Sequence, residues 1–242
     1  MHRIAIATLG AAALTACSFG GDDRGEAVPP NGSGTTRTFA VQGFDAIALA
    51  DGDDVDVRTG TGFSVRAEGP ADELDSLRIG RDGSELIVAR AKRVFAFGSR
   101  HGIKVFVTLP RLAQVHIVGS GTMAVDRIEG SRFEANVAGS GDLNIAALTT
   151  DAAEINVAGS GTVRAGGTVK RLEANVVGSG GLDAAGLRAA EAEVTVAGSG
   201  NIRAAVEGPA EVTVLGSGDV DLGAAARCTV TKKGSGSVRC GR

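Results

Sequence analysis

From residue 113 onward, apolar and polar positions alternate with period two, and the tripeptide Gly-Ser-Gly interrupts the alternation at regular intervals. It stands at 119–121, 139–141, 159–161, 178–180, 198–200, 216–218 and 234–236, so the spacings are 20, 20, 19, 20, 18 and 18 residues. Before it run Glu134-Ala135-Asn136-Val137, Glu154-Ile155-Asn156-Val157, Glu173-Ala174-Asn175-Val176, Glu193-Val194-Thr195-Val196 and Glu211-Val212-Thr213-Val214. After it, Leu143/Ile145, Val163/Ala165, Leu182/Ala184, Ile202/Ala204 and Val220/Leu222 hold every second place. Period two predicts strands with one buried face, and a fixed period near 20 residues predicts units that bury that face only by stacking.

Each unit reads as two short strands joined at Gly-Ser-Gly, with a second, more variable turn such as LTTDAA or VEGPA leading to the next unit. Identical residues in identical columns favour parallel stacking of coils over antiparallel hairpins, whose two-residue turns prefer Asn-Gly or Asp-Gly. The expected fold is therefore all-β, a parallel β-solenoid of 18–20-residue coils. At about 4.8 Å per coil, seven coils span about 34 Å. Asn136, Asn156 and Asn175 fall in one column and are placed for an amide ladder.

The repeated tripeptide is read as a corner. Gly119 and Gly121, Gly139 and Gly141, Gly159 and Gly161, Gly178 and Gly180, Gly198 and Gly200, Gly216 and Gly218, and Gly234 and Gly236 supply positive φ and close backbone approach. The serine between them is small enough to stack and is expected to bond the neighbouring turn. A phosphate cradle needs a helix just after the glycines, and a strand follows each time.

Residues 39–112 carry six of the eight phenylalanines and read as short strands at 44–50, 55–58, 63–68, 86–89 and 103–109. The stretch PADELDSL between them has helical spacing with Leu74 and Leu77 inward. This segment is expected to form a bulkier β cap (39–112) that starts the solenoid (113–242) and covers its N-terminal edge.

The N-terminus, MHRIAIATLGAAALTAC, has Arg3, an apolar run over 4–14 and a closing Leu-Thr-Ala-Cys. It reads as a secretory signal, residues 1–16, because the run is about half the roughly 20 residues a spanning helix needs. The last four residues resemble a lipobox, which implies an acylated Cys17 and a membrane anchor. Ser18 after the cysteine matches an outer-membrane sorting pattern, so the expected location is the bacterial cell envelope as an outer-membrane lipoprotein, periplasmic or surface-facing. Residues 17–38, rich in Gly, Pro, Asp, Ser and Thr, read as a flexible tether.

Loss of the signal removes Arg3, leaving one fewer than 25 Lys+Arg against 28 Asp+Glu, a net charge of −4. No basic footprint for nucleic acid emerges. Cys228 and Cys240 remain as an even pair in an oxidising compartment. Cys228 aligns with inward Ala210 and Cys240 with inward Leu222, so a disulfide clamping the last rung is expected.

The segments VQGFDAIALADGDDVDVRTG, SELIVARA and IKVFVTLPRLAQVHIVGSG, followed by the Gly-Ser-Gly train, resemble the GIN-domain family of bacterial envelope proteins (domain of unknown function 2807), described as autotransporter adhesin heads. The resemblance spans about residues 39–240 and implies an adhesin-like solenoid. It supplies no catalytic residue, and this chain ends after the solenoid with no room for a translocating barrel.

No cofactor, metal or catalytic residue is assigned. His101 lies in a loop, and His116 shares the column of Asn136. The column Glu134, Glu154, Glu173, Glu193 and Glu211 reads as a solvated acidic stripe whose like charges need relief. Arg164, Arg203 and Arg239, alternating with Asn144, Asp183 and Asp221, supply it only if the two faces are close. GSGDLN and GSGDVD resemble calcium-binding nonapeptides only faintly, since those recur every nine residues. The expected function is a non-catalytic, lipid-anchored interaction module for an unidentified protein or glycan ligand. A structural or envelope-stress accessory lipoprotein and a carbohydrate-active β-helix enzyme are the rival classes; the latter needs paired carboxylates in a groove.

Overall fold

The computed structural model describes residues 25–91 and 102–241. The first elements are β1 (Glu26–Ala27), β2 (Pro30–Asn31), β3 (Thr36–Phe39), β4 (Ala46–Asp51), β5 (Asp54–Thr59), β6 (Ser64–Glu68), α1 (Ala71–Leu74), β7 (Leu77–Asp82), β8 (Glu85–Arg90) and β9 (Lys104–Leu109). They build the cap. The coils follow as β10 (Gln114–Gly119), β11 (Thr122–Gly139), β12 (Asp142–Gly159), β13 (Thr162–Gly178), β14 (Gly181–Gly198), β15 (Asn201–Val206), β16 (Pro209–Gly216), β17 (Asp219–Asp221), β18 (Arg227–Lys233) and β19 (Val238–Arg239).

The coils stack in parallel, in the register the repeat predicts. Glu134 pairs with Glu154, Glu154 with Glu173, Glu173 with Glu193 and Glu193 with Glu211. Seven Gly-Ser-Gly corners bound six turns of about 20 residues each. The two strands expected per coil are merged into one in the middle coils. β11 to β14 are each 17–18 residues long and run from one Gly-Ser-Gly corner to the next, so the variable second turn is itself laddered, as Ile128–Leu148–Gly167–Leu187 shows. Its residues bend without leaving the ladder, because every coil bends at the same place and main-chain bonds to the next coil persist.

Inward positions hold one column each. Met123, Leu143, Val163, Leu182, Ile202 and Val220 are all buried. Phe133, Ala153, Leu172, Ala192 and Ala210 form another, whose alternation of large and small side chains interdigitates successive rungs. That column ends at Cys228, joined to Cys240 by a disulfide with Cα atoms 6.0 Å apart. Closing this short loop is worth about 3 kcal/mol by chain entropy. The double variant Cys228→Ser/Cys240→Ser is accordingly expected to unfold at lower urea concentration, with thiol titration of oxidised wild type giving no free pair. Equal urea midpoints would show that the last rung closes without the bond.

The cap is threaded out of order. β4 pairs in parallel with β10 on one side and with β8 on the other, while β5 lies between β11 and β9 in the same way. Residues 46–59 are thus an inner rung, and Glu85–Arg90 and Lys104–Leu109 lie outside it. Antiparallel β7 and β6 cover the outer strands β8 and β9. Leu74 of α1 and Leu77 are buried as expected, and Leu77–Asp82 is a strand the apolar pattern does not reveal.

The cap also begins earlier than residue 39. β1 pairs with β7, and β3 pairs with β2 and β6, so Glu26–Thr38 is largely edge strand where a tether is expected. Added edge strands are held by main-chain hydrogen bonds, which polar, Gly- and Pro-rich sequence does not forbid at a sheet edge. Arg37, almost fully buried, pins this segment through Asp75 at 3.0 Å.

Candidate functional site

At every corner the first glycine has positive φ, from 113° to 133° between Gly119 and Gly234. A β-carbon on Gly159 would lie 2.4 Å from the Gly139 carbonyl oxygen. Gly161, third in its tripeptide, has no positive φ but is as tightly packed: its β-carbon would lie 2.3 Å from the Gly141 oxygen and 2.9 Å from Val137 Cγ1. The first glycine therefore answers to conformation and space together, the second to space alone. The coils are tied here by main chain. The Ser160 and Gly161 amides donate to the Gly139 carbonyl at 2.8 and 3.1 Å, and Ser179 does the same to Gly159 at 2.9 Å. The serine hydroxyls point outward, and the expected hydroxyl-to-turn bond gives way to one side-chain pair among the described residues, Ser217 with Ser235 at 3.0 Å. The amide already satisfies the neighbouring carbonyl.

The corner column starts inside the cap. Asp51, Gly52 and Asp53 stand where later coils have Gly-Ser-Gly, since Gly119 pairs with Asp51 and the Gly121 amide donates to the Asp51 carbonyl at 2.9 Å. Asp51 even keeps the glycine-like φ of 146°. In the place of Gly121, Asp53 sends a carboxylate inward, 1% exposed, where Arg90 Nε donates to it at 2.7 Å and Arg90 also binds Glu73. The Ile103 amide adds a further donor to Asp53 at 3.2 Å. Those two carboxylates, with the Asp53 hydrogen bond foremost, hold the Arg90 guanidinium above its ordinary pKa. In sequence, LADGDDVDV parallels IVGSGTMAV, with aspartates in the places of the two glycines.

The outward face before each corner carries three columns. The glutamates form the first. The second runs His116, Asn136, Asn156, Asn175, Thr195, Thr213 and Thr231, and its asparagines donate coil to coil, Asn156 to Asn136 and Asn175 to Asn156, each at 3.0 Å. Apolar residues make the third: Ala138, Ala158, Val177, Ala197 and Leu215. Relief of the acidic column comes from its own face. Arg132 reaches Glu154, Arg171 reaches both Glu191 and Glu193 at 3.0 Å, and the Asn136 amide donates to Glu134 at 2.8 Å. The Glu191 hydrogen bond first, and then the charges of Glu191, Glu193 and Glu173, raise the Arg171 pKa.

Arg164, Arg203 and Arg239 belong to the face after the corner, in the register Asp56–Ala124–Asn144–Arg164–Asp183–Arg203–Asp221–Arg239. Arg239 binds Asp221 of that same face at 3.0 Å. An open groove of about 670 Å³ follows this column past Asp56, Arg58, Asn144, Arg164 and Asp183. Cys17 and His101 lie outside the described residues, among which no group of three His, Cys, Asp or Glu side chains is arranged to hold a metal ion.

A glycine-serine corner at each coil, parallel laddered strands and a cap with antiparallel edges define a class of β-solenoid. Residues 43–226 match the family described as "Putative auto-transporter adhesin, head GIN domain", and the chain belongs to that family. A solved "putative adhesin" from Bacteroides fragilis is 20% identical, with a TM-score of 0.80 over 87% of this chain and 98% of that one. A "putative lipid binding protein" from Parabacteroides distasonis is 24% identical, with a TM-score of 0.68 over 88% and 98%. A third, a "putative adhesin" from Parabacteroides merdae, is 18% identical with a TM-score of 0.64 over 88% and 98%. At these identities the likeness shows the fold. None of the curated protein sequences matches the chain. The family and these neighbours are described as adhesins or a lipid-binding protein, not as enzymes.

Proposed function

We propose that the protein is a non-catalytic, lipid-anchored interaction module of the bacterial cell envelope that binds its partner through the laddered exterior of the solenoid. The observation that carries this reading is the coil register: one Glu, one Asn or Thr and one apolar residue recur on the same face in successive coils. Side chains repeated at the spacing of stacked coils offer many weak contacts to an extended partner, and these combine by avidity. Cross-linking on intact cells, with the mature chain as bait, tests this reading. Recovery of a defined envelope or surface partner supports it, and hydrolysis of a polysaccharide by the same purified chain would replace it with the enzyme reading.

The anchor is tested separately. Wild type is expected to take up a tagged fatty acid and to fractionate with membranes, whereas Cys17→Ser takes up none and is released, because a polar N-terminal segment offers no other hold on a bilayer. Equal labelling of the two chains would remove the lipid anchor from the proposal. Cell fractionation of the labelled chain then assigns outer or inner membrane, and protease shaving of intact cells distinguishes surface from periplasmic exposure.

A further inference from the structure

Charge is unevenly distributed along the coils. Residues 113–221 carry 14 Asp and Glu against 7 Lys and Arg, whereas each of the five charged residues after Asp221 is basic: Arg227, Lys232, Lys233, Arg239 and Arg242. All but Arg242, which lies outside the described residues, belong to the last rung. Among the described residues β18 pairs with β16 alone and β19 with β17 alone, so this rung is the open end of the stack.

The end is built differently from the flanks. Val230 continues an inward column, yet it is 46% exposed because none of the described residues stacks on its outer side. Lys232 stands in register with Val214, an inward core position, and its Nζ donates to the Gly236 carbonyl at 2.9 Å, within the last corner. Arg239 is engaged by Asp221, while Asp219 accepts from the Ser237 amide and hydroxyl at 2.9 and 2.6 Å, bonds that hold its carboxyl below the ordinary range. Arg227, Lys232 and Lys233 make no ion pair with described residues. Thr229, Thr231 and Ser235 surround them with exposed hydroxyls.

We propose that this C-terminal tip is a docking face for an acidic polysaccharide, with carboxylate or sulfate groups held by Arg227, Lys232 and Lys233 and sugar hydroxyls by Thr229, Thr231 and Ser235. Unpaired cations select an anionic partner. Hydroxyl side chains among them match a chain that carries hydroxyls and anions together. One exposed valine gives too little apolar area for entry into a bilayer, and with no aromatic residue after Phe133 there is nothing for bases to stack on. A second copy is disfavoured because its own tip is cationic and its acidic flank is already engaged by Arg132 and Arg171. The proposal goes beyond the interaction-module reading, since it adds the end of the stack to the laddered flank as a second binding face. A protein partner captured on cells without any glycan affinity would end the proposal and leave that reading in place.

The test uses the mature chain with polygalacturonate and heparin as probes, dextran as the uncharged control and phosphatidylglycerol vesicles as the membrane arm. Wild type is expected to bind both anionic glycans, with affinity falling as salt rises, and to ignore dextran. Arg227→Glu/Lys233→Glu is expected to weaken binding by about tenfold or more, since two attractive contacts become repulsive. Both replaced side chains are exposed, so the variant is expected to keep the wild-type melting temperature. The flank variant Lys170→Glu/Arg188→Glu carries the same change in net charge and is expected to bind as wild type does. Absence of wild-type binding, equal loss in tip and flank variants, or binding to the vesicles alone would overturn the proposal.

Discussion

Gly159→Val is expected to destabilise the solenoid by on the order of 3 kcal/mol or more, lowering the apparent melting temperature by roughly 10 °C for a chain of this size. Two costs add. The valine must adopt φ near 122°, in the region that β-branched side chains avoid, and its β-carbon must displace the Gly139 carbonyl, 2.4 Å away. That carbonyl accepts the Ser160 and Gly161 amides, so relief of the clash breaks the tie between two coils. Ser160→Ala at the same corner removes an exposed hydroxyl and leaves the amide in place, and is expected to change stability by less than about 0.5 kcal/mol. Circular dichroism melts of the two variants decide the matter. A Gly159→Val chain that melts with wild type, beside an equally stable Ser160→Ala chain that no longer binds the captured partner, would make the tripeptide a recognition surface instead of a corner.

Arg90→Leu is expected to cost a comparable amount, about 3–5 kcal/mol. The side chains of Arg90, Asp53 and Glu73 are 5%, 1% and 4% exposed, so removal of the guanidinium takes a charged partner from two buried carboxylates in the cap. The loss lies in the carboxylates left behind more than in the pair itself. Arg90→Leu combined with Asp53→Asn and Glu73→Gln is therefore expected to recover part of the stability, measured by urea unfolding. A single variant within about 0.5 kcal/mol of wild type would show that water reaches these carboxylates.

What the sequence disclosed and what it hid follow from the range of the interactions. Neighbouring coils are one period apart, so their columns, the Asn ladder and the inward positions of Ala210 and Cys228 can be aligned by eye. The contact of Ala46–Asp51 with Glu85–Arg90 links segments with no common motif, and nothing in the alternation marks which strand lies outermost. Edge strands β1 to β3 were hidden for a different reason: main-chain pairing leaves little trace in side-chain pattern. Arg132 and Arg171 were within reach, since each stands two residues ahead of the glutamate column. The alternation by itself does not show that a side chain so placed reaches a glutamate of the next coil. The basic tip was plain in composition, but only the topology makes it an end.

The shared register has a consequence for how such a protein changes over generations. A stretch running from one column position to its equivalent in the next coil, such as Ser140 to Gly159, can be lost or duplicated without shifting a single ladder, because Gly139 and Gly159 occupy the same place in the stack. The gene can therefore lengthen or shorten the distance between cap and tip in steps of about 4.8 Å. Neither end has to be reinvented.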